Sequence, residues 1–188
     1  MSALAVPTSC APDLIEPVIG FRQWDVRGDR LYSPFHGDLW EDVELHATCQ
    51  LRTHDAADVP AEDCTCGVYA YYQQPPRSAA ATRELVTGVI VMSGQMQLHG
   101  GGMRAAHARI VGLALPFTNG PKRGRLLAAA AYLEVPVVPP RRLKGVAARH
   151  GAPLPPALRP PRTPLPWECP MGVARTNGRR VSAIGQVR

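Results

Sequence analysis

Long apolar runs are missing from this chain: Gly, Ser or Pro interrupts every greasy stretch before it reaches the roughly 18 to 20 residues that cross a bilayer, so no membrane-spanning helix is expected. Basic residues are missing from the start. Met1 to Ile19 has no Lys or Arg ahead of its apolar residues, so it does not read as a secretory leader, and a cytoplasmic location is the expectation. Cysteines are few and odd in number; five cannot close a disulfide frame among themselves and point instead to reduced thiols or metal ligands. Aromatic residues make up only 6% of the chain, and Trp167 is the sole one after Ala152. No base-stacking platform can be recognised there, which excludes sequence-specific nucleic-acid readout as an expectation and leaves nonspecific phosphate contact open.

What is present is unevenly placed. The 188 residues suffice for one ordinary domain with a sizeable core. Eleven of the 20 prolines fall between Pro136 and Pro170. Residues 1–120 set eight arginines against thirteen acids, a net of −5, whereas residues 121–188 set thirteen basic residues against Glu134 and Glu168, a net of +11. The composition divides the chain into a disordered lead-in over 1–16, a single α+β domain over 17–151, and a basic Pro-rich tail over 152–188 that buries too little to offset its ordering entropy. Polyproline-like character is expected from Leu154 to Pro166. Such a tail suits electrostatic attachment to a macromolecular partner.

Within the domain, Val18 to Val26 reads as a strand, Gly28-Asp29 as a turn and Leu31 to Ser33 as its return. Trp40, in a loop over 34–43, is expected to cover one end of the core. Glu44 to Leu51 alternates so that Leu45, Ala47, Cys49 and Leu51 face inward and His46 outward. Gly67 to Tyr72 is again strand-like, and Ser78 to Glu84 predicts a short helix. Leu85 to Leu98 predicts a central strand, its first half buried on both faces and its second on one. After the Gly100-Gly101-Gly102 turn, Ala108 to Leu115 supplies an antiparallel partner. Pro121 to Leu133 predicts a helix capped by Asn119, with Leu126, Leu127, Ala130 and Leu133 on its apolar face. An edge strand follows over Val135 to Val138, then a helix from Arg141 to His150 that buries Leu143, Val146 and Ala147. The fold class is therefore a mostly antiparallel sheet followed by a helix-strand-helix unit.

Chemistry concentrates between Glu44 and Tyr71. Cys49, His54, Cys64 and Cys66 supply the thiolates and imidazole that zinc takes in a tetrahedron, although a single Cys-x-Cys is not the usual paired knuckle; buried core thiols are the alternative. Cys66 beside a histidine also admits a nucleophilic reading, without a strand-to-helix elbow to support it. A second constellation joins His99, the three glycines, Arg104 and His107, where a turn rich in backbone N–H groups can cradle an anion.

The pattern Gly20-Phe21-Arg22-x-Trp24, Ala47-x-Cys49, Cys64-Thr65-Cys66-Gly67-Val68-Tyr69-Ala70 and Val86-x-Gly88, with His99 and Arg104 beyond, resembles small uncharacterised proteins of high-GC Gram-positive bacteria and their phages, over roughly Val18 to Gly151. A looser similarity runs to ADP-ribosyltransferase-like folds, through the strand bearing Arg22, the Gly-x-Tyr strand at Gly67 to Ala70, an alanine-rich helix and a Val-rich strand. Where those enzymes carry a catalytic Glu near the last strands, this chain has Gln95 and Gln97 and no acid between Glu84 and Glu134. The leading expectation is a non-catalytic binding domain, zinc-stapled and tail-attached. The second, implied by the looser resemblance, is an enzyme or degenerate enzyme that takes a nucleotide-like anion in a cleft lined by Arg22, Tyr69, His99 and Arg104.

Overall fold

A computed structural model describes residues 17–34, 37–51, 54–75, 85–115 and 120–161. The expected lead-in over 1–16, the Ser78–Glu84 helix, the Asn119 cap and the tail past residue 161 lie outside the described residues. The first strand, β1 (Val18–Arg27), turns at Gly28-Asp29 into β2 (Arg30–Tyr32), as the β-branched run followed by a turn dipeptide predicts. Trp40 is not in a loop but in a short strand, β3 (Leu39–Trp40), where its ring meets Trp24 edge-on with centroids 5.4 Å apart in the core.

The following strand, β4 (Glu44–His46), is shorter than expected. Alternation persists to the buried Cys49, but Leu51 is 72% exposed. Backbone pairing explains the difference: the ladder with the long strand below stops at His46, and one further bond, Ala47 N–H to Ala106 O at 2.7 Å, ends the contact. Then come β5 (Val68–Tyr71), β6 (Val86–His99) and β7 (Gly102–Ala114), all antiparallel. The central strand is β6, between β1 and β7, and β5 pairs with β7 on one side and bridges to β1 through Phe21 and Tyr71 on the other. These four strands thereby close into a ring.

A helix-strand-helix unit completes the mostly antiparallel α+β fold. Helix α1 (Pro121–Tyr132) buries Leu126, Ala129 and Ala130, with Leu133 following, whereas Leu127 points outward. Strand β8 (Val137–Val138) lies parallel to the end of β7, where the Leu113 amide donates to Pro136 O at 2.9 Å. A 3-10 turn leads into α2 (Leu143–Ala147), which is shorter than the sequence predicts but buries the three expected residues. One cluster packs Trp24, Ile90, Met92 and Leu113 with α1; another packs Ile19, Phe21, Val89 and Val91 with α2. The two clusters are why the first half of β6 is apolar on both faces.

Two corrections follow from tertiary contacts. The second half of β6 was expected to bury one face; after a register shift between Ser93 and Met96, with Gly94 at φ +76°, Gln97 is 1% exposed along with its apolar neighbours. Residues Ala152 to Pro161, expected in the tail, pack on the domain: β9 (Ala152–Pro153) runs parallel to Val18 and Ile19, and Leu154 is buried. Arg159 donates to Leu154 O at 2.6 and 3.0 Å, with its guanidinium 5.0 Å over the Tyr72 ring. These contacts outweigh the Pro-rich composition. Among the described residues, no helix is long and apolar enough to cross a membrane.

The ring leaves no room at Gly88. A Cβ there would lie 2.7 Å from Gly112 O and 2.8 Å from Trp24 Cζ3. Gly88→Ala is expected to cost about 1–3 kcal/mol, read as a lowered urea midpoint with an unchanged m-value.

Candidate functional site

Among its described residues the segment between β4 and β5 contains little regular structure, one 3-10 turn over Ala56–Asp58, so its shape depends on side-chain anchors. The principal anchor is Arg104. It stands opposite Gln97 in the β6–β7 ladder and opposite Tyr69 in the β5–β7 ladder, which brings the Arg104 and Gln97 side chains to the same face. Its guanidinium, on a residue only 2% exposed, donates through Nη1 to Cys64 O and to Cys66 O (2.8 Å), and through Nη2 to Ala61 O (2.8 Å) and Gln97 Oε1. Gln97 Nε2 donates in turn to Pro60 O at 3.0 Å. One arginine and one glutamine thus fold the loop onto the sheet.

The folded loop gathers the thiols. The Sγ atoms of Cys49, Cys64 and Cys66 all lie within 4.8 Å of one another, close enough to hold a metal ion, and those of Cys49 and Cys64 are 3.8 Å apart. Cys66 Sγ accepts the Ala61 amide at 3.3 Å, while burial pushes its thiol pKa up. His54, expected as the fourth ligand, stands outside the group: its Nε2 faces Asp63 Oδ1 at 3.6 Å. The thiol therefore has an amide for its partner rather than an imidazole, and a raised pKa opposes the thiolate that a nucleophile needs.

Beside the thiols lies a cleft of about 900 Å³ lined by Arg22, Tyr69, His99 and Arg104 together with Ser33, Glu62, Asp63, Cys64 and Tyr71. The four residues expected to bind an anion share this cleft, but they are not equivalent. The Arg104 Nη groups are committed to the loop. Arg22 donates from Nη1 to Tyr69 O and from Nη2 to Ser33 Oγ, both at 2.6 Å, and its guanidinium lies 5.3 Å from the Trp40 ring centroid. Burial lowers its pKa to about 10, against the opposing influence of Tyr71 and Asp38, so it remains cationic at neutral pH. Its buried Nε has no hydrogen-bond partner, and neither has His99 Nε2. Gly102 pairs with Tyr71, where a Cβ would strike the Ala70 carbonyl, and with Gly101 it borders the same cleft. Ser33 and Tyr71 are not singled out by the sequence, and Gln97 is noted there only as standing where the similar enzymes carry a glutamate. Two glutamines in an apolar strand were the available signal for Gln97.

No protein-family model, curated protein or solved structure matches the chain.

Burial, and then the charge of Arg104, hold the His99 pKa below its ordinary 6.5. The unfolded chain therefore binds the proton more readily, and the stabilisation that neutral His99 gives is present above about pH 6.5 and lost as pH falls through the lower folded value. Thermal melts across this acidic range are expected to show a falling midpoint, with a shallower fall in His99→Gln.

Proposed function

We propose that the chain is a zinc-stapled, non-catalytic binding domain that attaches electrostatically to an anionic macromolecule. The carrying observation is the thiol spacing. Zinc–thiolate bonds of about 2.3 Å in a tetrahedron set the sulfurs about 3.8 Å apart, and Cys49 and Cys64 already hold this separation. The Ala61 N–H aimed at Cys66 Sγ supports that sulfur as a ligand, and the Arg104 clamp places the Cys-x-Cys pair before any metal binds. Three thiols leave zinc's fourth position to another group.

Elemental analysis of protein purified without chelator or metal-affinity tag is expected to find about one zinc per folded chain and little in Cys64→Ser, because structural sites need their full ligand set. Metal-free wild type that is fully folded would reduce the cluster to core packing.

The basic charge is not confined to the tail. Residues 120–161 carry eight Lys and Arg against Glu134, a net of +7, and residues 162–188 carry five Arg against Glu168, a net of +4. Arg141, Arg142, Lys144 and Arg149 are exposed on and around α2. This favours attachment through the helical unit as well as through the tail. Changing these four to Gln is expected to reduce the slope of log K against log salt for a short DNA duplex by roughly 0.9 for each phosphate contact removed. An unchanged slope in the folded variant would exclude this surface.

A further inference from the structure

We propose that the cleft beside the thiol group receives a small, planar-ringed monocarboxylate, with Arg22 as its carboxylate partner. Its volume, about 900 Å³, lies at the upper end of the range for small-molecule sites. Tyr69 and Tyr71 occupy alternate positions of β5 and so share a face, on which they remain 42% and 39% exposed. Large half-open aromatic rings in a concave wall present stacking surface to a flat ligand.

The charge pattern selects the anion. Arg22 spends two of its five N–H donors on a neutral carbonyl and a neutral hydroxyl; its Nε is buried without a partner, and its Nη1 bond lies on the exposed side. A buried cation with neutral partners gains most from an incoming oxyanion. His99, whose Nε2 is buried without a partner, lines the same cleft. Arg104 spends four of its five N–H donors on the loop and Gln97 and keeps only a buried Nε without a partner, whereas Arg22 spends two, so Arg104 adds little to the positive charge offered to a ligand. Exposed Glu62 and Asp63 on the lining oppose further negative charge. One available guanidinium in a cleft that also holds two carboxylates suits a single carboxylate on a ring and disfavours a phosphate-rich nucleotide.

Cys64 belongs both to the thiol group and to the cleft wall, so zinc is measured in every sample; that keeps loss of the wall separate from failure of the ligand assignment. The full chain is titrated with indole-3-acetate and salicylate, with the neutral alcohol tryptophol, and with AMP and inorganic phosphate, following the thermal midpoint and binding heat. A saturable rise in midpoint is expected at millimolar concentrations of the two carboxylates and not of tryptophol, since a ligand selective for the folded state must stabilise it. Affinity for the carboxylates is expected to fall at least about tenfold in Arg22→Gln, as for loss of a charge-assisted pair. Should that variant misfold, Tyr71→Ala, altered at a half-exposed ring, is expected to weaken binding severalfold. No response to either carboxylate, equal response to tryptophol, stabilisation by AMP or phosphate alone, or full affinity in the folded variants would each overturn the assignment.

Discussion

The fold's least regular segment depends on one buried cation. Arg104 has no carboxylate among its hydrogen-bond partners; three backbone carbonyls and the Gln97 amide oxygen take that place. A guanidinium out of water is costly unless its donors are met, and carbonyls facing a sheet without donors are costly as well. Four of the five guanidinium donors and all four acceptors are met in this way, and only the buried Nε is left without a partner. The loop from Pro60 to Cys66 consequently adopts a defined path with almost no secondary structure of its own, and the orientation of Cys64 and Cys66 follows from where their carbonyls are held.

This arrangement explains which parts of the chain could be read from sequence. The first hairpin, the central strand and the buried face of α2 rest on local signals: a turn dipeptide, a long β-branched run, apolar residues at helical spacing. Leu51 and Leu127 fitted such local patterns yet point outward, because the ladder ends at His46 in one case and the core meets the other side of α1 in the other. The clamp is nonlocal. Gln97 and Arg104 become a pair only through the register of β6 against β7, and a bulge at Ser93 to Met96 shifts that register in a way spacing alone does not disclose. The cysteines were visible by type, whereas no sequence signal shows that His54 stands against Asp63 and outside the thiol group.

Composition misplaced the end of the packed structure for a similar reason. Proline-rich segments bury little on average, but two residues suffice here: Leu154 fills a core position and Arg159 closes over it by hydrogen-bonding its carbonyl and covering Tyr72. Proline costs less than its frequency suggests in such a segment, because a chain already restricted in φ loses less entropy when it is fixed. Seven of the thirteen basic residues after position 120 precede this segment, between Lys122 and Arg149, and sit on a folded surface, where their spacing, and not only their number, can matter to a partner.

The charge balance of the thiol group links the two proposed sites. Three thiolates around a divalent zinc carry a net negative charge, and Arg104 is an anchored cation bound to the carbonyls of two of the three cysteines. Zinc would therefore add the anionic complement that this guanidinium lacks, while the guanidinium offsets charge that zinc alone leaves on sulfur. Tyr69 is drawn into the same balance, since its ring lies 5.9 Å from Arg104 and its carbonyl holds Arg22. Cys64 and Tyr69 are thus shared by the anchored loop and the cleft wall. Free-energy coupling between two ligands is reciprocal. If metal steadies this wall for a carboxylate, the carboxylate must steady the wall for the metal by the same factor.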